Sequence, residues 1–223
     1  VMRSSEDMPA ALFGALQGRL LDRVPAIRAA TAFAFANVFG KLLDANRGDI
    51  ATLSAMGLTE AIAAESLVLV DCLRKRAAVD DKATVRRAAV GALVSLLLIG
   101  ETVASVPLNI TDGDIAIVCE LGQDTSMLTR KAAADALTLL LQTYESIHDK
   151  SPIVLESLEK AWCKSVLPLA LDSESSCNSK AVELVDRVLF DPLLAADNDS
   201  NTSSSQTAWN ILAAVGDGSG QQG

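Results

Sequence analysis

Few residues in this chain have the type and spacing to do chemistry. The single histidine, His148, sits in the charged stretch YESIHDKSP. Acid–base or nucleophilic work there would need a nucleophile or carboxylate brought to it through space, and a solvated linker histidine is the simpler reading. The carboxylate neighbours, Asp80 with Asp81 and Glu156 with Glu159, fall at turns or on outward helix positions. Without a pocket they serve solvation. Cys72, Cys119, Cys163 and Cys177 are widely separated and form no CxxC pair, so the close ligand pairs of a zinc site are missing. They read as small, reduced core residues, suited to the cytosol or nucleus. Neither a glycine-rich phosphate loop nor an HExxH stretch is present. The expectation is a chain with no catalytic residues, cofactor or metal.

What does recur is a charge spacing. Asp22, Asp80 and Asp124 are each followed six residues later by an arginine: Arg28, Arg86 and Arg130. A fourth aspartate, Asp172, has Asn178 at that place, with its basic residue displaced to Lys180. Aspartate and arginine at fixed turn positions can pair from one turn to the next, and the aspartate also suits the free amides opening a helix. The alternative is two solvated turn residues. Further basic residues cluster nearby: Arg74, Lys75 and Arg76, then Arg86 with Arg87, Arg130 with Lys131, and Lys180. A row of such positions along one edge could contact DNA phosphates, or simply keep a helix edge soluble. The net charge of −9 argues against binding a polyanion by bulk electrostatics. Ser151-Pro152 is a minimal proline-directed phosphorylation site, and equally a helix cap followed by a first-turn proline.

The elements that hold these residues are helical. Half of the 223 residues are hydrophobic but only 4% are aromatic, a composition that suits close helix packing better than a β-sandwich. The stretches DRVPAIRAATAFAF, DDKATVRRAAVGAL, DTSMLTRKAAADAL and DSESSCNSKAVELV each pass from an aspartate turn into an amphipathic helix. In the second, Val85, Ala89, Ala92, Leu93, Leu96 and Leu97 share one face; in the third, Leu128, Ala132, Ala136, Leu137, Leu140 and Leu141 do. Partner helices are expected over Ala10 to Leu21, Glu60 to Ala77, Asp114 to Gly122 and Ile153 to Leu171, with Thr59 and Ser151 as caps. The aspartates lie 58, 44 and 48 residues apart, against roughly 40–47 for a HEAT repeat. An insertion around Asn46 to Asp49 accounts for the long first interval.

The expected fold is therefore all-α, an α-α superhelix of the HEAT/armadillo kind with about four helical hairpins over residues 1–196: approximately 8–43, 59–99, 112–144 and 152–190. A single hairpin cannot bury its apolar face alone, and stacking supplies the missing cover. A flexible polar loop is expected at 197–206 (DNDSNTSSSQ), the start of a further helix at 207–215, and disorder at 216–223. The longest nearly apolar run, Val90 to Gly100, is about half of a membrane span, so no membrane role is expected. No signal peptide opens the chain, and Val1 suggests an excerpt of a longer protein.

From the second repeat onward the sequence is more specific. Ala161-Trp162, then Val166-Leu167-Pro168, then Asp172-Ser173-Glu174-Ser175, then Lys180-Ala181-Val182-Glu183 resemble the D-type HEAT subunit of the condensin II complex. DDKATVRRAAVGALVSLL is similar to the same family's aspartate-rich turn, so the resemblance covers about residues 80–192; residues 1–79 match only as HEAT. Condensin I and cohesin-type HEAT subunits are close competitors. The resemblance implies a non-catalytic regulatory subunit in mitotic chromosome condensation. It would sit in the nucleus on the chromosome and bind a pair of SMC ATPases, a kleisin, a second HEAT subunit and chromosomal DNA, with no small-molecule substrate. The competing reading is a HEAT adaptor outside chromosome biology, a transport receptor or phosphatase scaffold.

Overall fold

The structure is a computed structural model that describes residues 7–46, 58–103, 105–147, 150–195 and 203–218. Among these residues every regular element is helical. In chain order they are α1 (Asp7–Arg19), α2 (Pro25–Asn46), α3 (Leu58–Val79), α4 (Ala83–Thr102), α5 (Asp112–Leu121), α6 (Met127–Glu145) and α7 (Pro152–Ser165). A 3-10 turn (Leu167–Leu171), α8 (Ser175–Val185), a π-helical turn (Asp186–Phe190), α9 (Asp191–Ala195) and α10 (Ser203–Gly218) follow. The chain is an all-α helical repeat of the expected class, and it divides into two compact units, residues 1–110 and 111–223.

In the first unit, first helices pack on first helices and second on second: α1 on α3, and α2 on α4. That is how stacked hairpins cover each other's apolar faces. Phe13, Phe35 and Phe39 meet with ring centroids 5.5–6.2 Å apart, joining α1 to α2. Helix α4 is the centre of the core: all six stripe residues named above are buried, together with Ala88, Val90, Val94, Leu98 and Ile99. Each fully buried leucine or valine contributes about 1.5–3 kcal/mol. By length and composition α2 and α4 could cross a bilayer, but here they pack against one another. After α4 the chain folds back closely enough that a Cβ on Gly100 would lie 2.5 Å from the Leu108 Cβ. Glu101 holds this return by accepting the Ile110 N–H at 2.7 Å.

The second unit repeats the scheme, with α5 on α7 and α6 on α8, and adds α10 as a third first-type helix against α7. Helix α5 opens with a reciprocal cap: Thr111 accepts the Asp114 N–H, and Asp114 accepts the Thr111 N–H. Trp162 is fully buried, and its indole N–H donates to Thr138 Oγ1 at 2.9 Å, which satisfies its one polar group. Gly122 lets α5 end against α7, since a Cβ there would sit 1.9 Å from Ser165 Oγ. The stripe read on α6 is rotated at its start. Leu128 is 46% exposed and Thr129 is buried in its stead; the buried face runs Thr129, Ala133, Ala136, Leu137, Leu140, Leu141, Tyr144. Small Thr129 and Ala133 admit a close helix approach that a leucine at that place would prevent.

Some boundaries differ from the sequence reading. Thr59 lies inside α3, which starts at Leu58. The long stretch read as one helix from Ile153 to Leu171 breaks at Val166, before Pro168, into α7 and a 3-10 turn. Residues 203–206 of the expected loop form the first turn of α10, which runs on through Gly218. Residues 47–57, 196–202 and 219–223 lie outside the described residues, and so does most of the insertion read around Asn46 to Asp49.

Candidate functional site

The recurring aspartates and arginines build one motif at each hairpin turn. Asp22, Asp80, Asp124 and Asp172 each accept the backbone N–H two residues on, from Val24, Lys82, Ser126 and Glu174, at 2.7–3.1 Å. This side-chain turn fixes the residue immediately before α2, α4, α6 and α8 respectively. Six residues later, Arg28, Arg86 and Arg130 donate through Nη1 to the carbonyl of their own aspartate, at 2.9, 2.8 and 2.9 Å. The six-residue spacing is thus the reach from the first helical turn back to the loop that precedes it.

In Arg28 and Arg130 the rest of the guanidinium faces the next turn of the same unit. Arg28 donates through Nε and Nη2 to both carboxylate oxygens of Asp80, each at 2.8 Å. Arg130 does the same to Asp172 at 2.7 and 2.9 Å. Planar two-point pairing is what arginine supplies and lysine cannot. Asp80 takes a further bond from Arg76 at 3.1 Å, and Arg28 a further carboxylate, Asp81, at 2.9 Å. Burial pushes the Asp80 pKa up, but the bonds from Arg28, the Lys82 amide and Arg76 outweigh it and bring it down to about 2. Arg130 is the main cause that lowers Asp172. At the fourth turn Asn178 donates to the Ala170 carbonyl within its own hairpin.

The basic residues expected to reach DNA are engaged as follows. Arg76, Arg86 and Arg130 belong to the ladder. Arg74 pairs with Asp71 at 3.0 Å. Lys180 bridges Asp135 of α6 and Glu183, both at 2.9 Å, and these bonds offset the burial that would lower its pKa. Arg87 lies over the Phe33 ring, 5.1 Å from its centroid, a cation–π contact between α4 and α2. Lys75 is exposed and Lys131 half-buried. Ser151 stands immediately before α7 with Pro152 at the first helical position, and its side chain makes no capping bond; its N–H donates to the Tyr144 hydroxyl at 3.0 Å. His148 lies outside the described residues.

All four cysteines carry free thiols, and burial raises the pKa of Cys119, Cys163 and Cys177. Such thiols are poor nucleophiles. Glu159, expected on an exposed helix face, is instead 6% exposed. Burial raises its pKa, against hydrogen bonds from Asn210 and Thr207 and with the Glu145 charge nearby. Its environment is made by α10, far along the chain, and nothing local in the sequence marks it.

No family model matches this sequence. Over 119 residues it is 32% identical to the Condensin-2 complex subunit D3-L of Xenopus laevis. About half of this chain is similar to that protein. The matched stretch is 53% of this chain and 7% of the relative, so the chain spans a small fraction of the relative's length. The match agrees with the resemblance drawn from the motifs. Within each unit, one arginine–aspartate pair joins a hairpin turn to the next.

Proposed function

We propose that this chain is a segment of a non-catalytic, condensin II-like HEAT subunit acting in mitotic chromosome condensation on the chromosome in the nucleus. The observation that carries this reading is the 32% identity to a condensin-2 complex subunit. The helical-repeat architecture and the charge ladder support it. In this reading the ladder holds neighbouring hairpins in a fixed orientation, so that the helices present a stiff surface to a partner segment. The partners are an SMC ATPase pair, a kleisin and a second HEAT subunit. Affinity purification of the full-length parent protein with mass spectrometry is the test. Recovery of SMC ATPases and a kleisin is expected, whereas transport cargo or a phosphatase in their place overturns the reading.

A DNA contribution falls to Lys75, Arg87 and Lys131, whose charges are not taken up by carboxylates of the ladder. Lys75→Glu combined with Lys131→Glu is expected to weaken duplex binding and to reduce the slope of log affinity on log salt by about 2, roughly one phosphate for each lysine. Unchanged binding would leave these residues as solubility groups only. Ser151 remains a modification site in this reading: its hydroxyl is not committed to capping, and a phosphate there would face the N-terminus of α7.

A further inference from the structure

The second unit contains a carboxylate that the ladder does not use. Glu145, at the end of α6, is only 8% exposed, and its buried Oε1 accepts no hydrogen bond. A buried carboxylate oxygen without a partner is costly, and a hydrogen bond from a cationic group would offset that cost. Glu145 lines a cavity of about 100 Å³ together with Leu141, Gln142, Val188, Pro192 and Thr207. That is far below the roughly 300–1,000 Å³ of a small-molecule site and of a size for a single side chain. Leu141, Val188 and Pro192 offer apolar walls, while Glu145, Gln142 and Thr207 offer oxygen acceptors.

A second, wider depression of about 730 Å³ runs between α7 and α10, lined by Pro152, Leu155, Ala213 and Ala214 with Glu156, Glu159, Lys160 and Asn210. Its polar floor is joined to the small cavity through two residues of α10. Asn210 donates to Glu159 Oε1 at 3.0 Å, and Thr207, a wall of the small cavity, hydrogen bonds to Glu159. Lys160 is drawn to Glu156 at the surface, and Lys150 donates to the Glu145 backbone carbonyl at 2.6 Å.

We propose that this face of the second unit is a docking site for a partner segment that lays apolar residues along the α7–α10 groove and inserts one lysine into the Glu145 cavity. The narrow cavity selects lysine over arginine: a linear methylene stem lies against the apolar walls and a compact ammonium meets the carboxylate. This deepens the scaffold reading and rests on it, by naming the chemistry of the segment that the scaffold holds.

The test uses the full 223-residue chain and two fluorescent synthetic alanine–leucine peptides, one with a single central lysine and one with norleucine in its place, at physiological salt. The lysine peptide is expected to bind about tenfold or more tighter than its norleucine counterpart. Glu145→Gln should abolish that preference, and the same charge change at exposed Glu120→Gln should leave it intact. Circular dichroism of each variant checks that the helices are retained. If Glu145→Gln is poorly folded, Val188→Phe, which fills the cavity while keeping the carboxylate, must remove the preference in its place. Equal binding of the two peptides, or a preference that survives both cavity variants, overturns the proposal. Those outcomes leave the co-purification result untouched, and failed co-purification with an intact lysine preference sinks only the condensin assignment.

Discussion

Asp80 and Asp172 hold the same place in two hairpin turns, one in each unit, and differ in what surrounds them. The Asp80 side chain is fully buried, with Arg28 8% exposed, and it is held by two arginines and a backbone amide. The Asp172 side chain is 9% exposed and Arg130 14%; one arginine, one amide and the Cys177 thiol hold it. The motif is the same, but its energetic role is not. Charges removed fully from water depend on every partner, whereas a rung that water can reach keeps a substitute for a lost bond.

The largest effect separating the two is expected from truncating the carboxylate. Asp80→Ala removes the buried carboxylate that Arg28 and Arg76 share, leaving Arg28 only the exposed Asp81 carboxylate, and should cost about 3–5 kcal/mol. Asp172→Ala leaves Arg130 closer to solvent and should cost about 1.5–3 kcal/mol, the range of a hydrogen bond to a charged group. Urea unfolding midpoints of the two variants measure the difference, and equal losses would break the comparison.

A smaller effect comes from acid. The folded pKa of Asp80, about 2, lies below the ordinary 3.8, so its ionised form stabilises the fold. That contribution is present above about pH 4 and is lost as pH falls through about 2, on the order of 2 kcal/mol in all. The stability gap between the native chain and Asp80→Asn should therefore narrow between pH 4 and pH 2; a constant gap would show that ionisation is not what holds this rung. Asp172 is shifted in the same direction, so its contribution fades over the same acid side. Least of all is expected from Leu128→Gln, within about 0.5 kcal/mol, because that leucine is half exposed. A loss of more than that would return Leu128 to the buried face of α6.

Helix class, the hairpin order and the ladder's residues are legible in the amino-acid sequence, because apolar period and charged turn positions are local patterns. The stripe on α4 is legible in full, since all of its members are apolar. On α6 the pattern misleads where a buried threonine takes the place that hydrophobicity gives to a leucine. Sequence spacing names Arg28, Asp80, Arg130 and Asp172, and Arg76 reaches Asp80 across a local four-residue spacing as well. The surroundings of Glu145 and Glu159 are not legible, because α10 helps to make them from far along the chain; Asn210, which bonds Glu159, is 51 residues away.

Asn178 has a consequence for anyone cutting the chain. Arg28 and Arg130 reach forward, so removing the hairpin on the C-terminal side of either leaves an unmet cation. Removal on the N-terminal side leaves a carboxylate that still has its own loop amide. Each pair of hairpins is thus directional, tolerant of trimming from one end and sensitive at the other. A neutral amide at the sixth position, turned back on its own loop, marks the junction where a shortened version can stop without exposing an orphaned guanidinium.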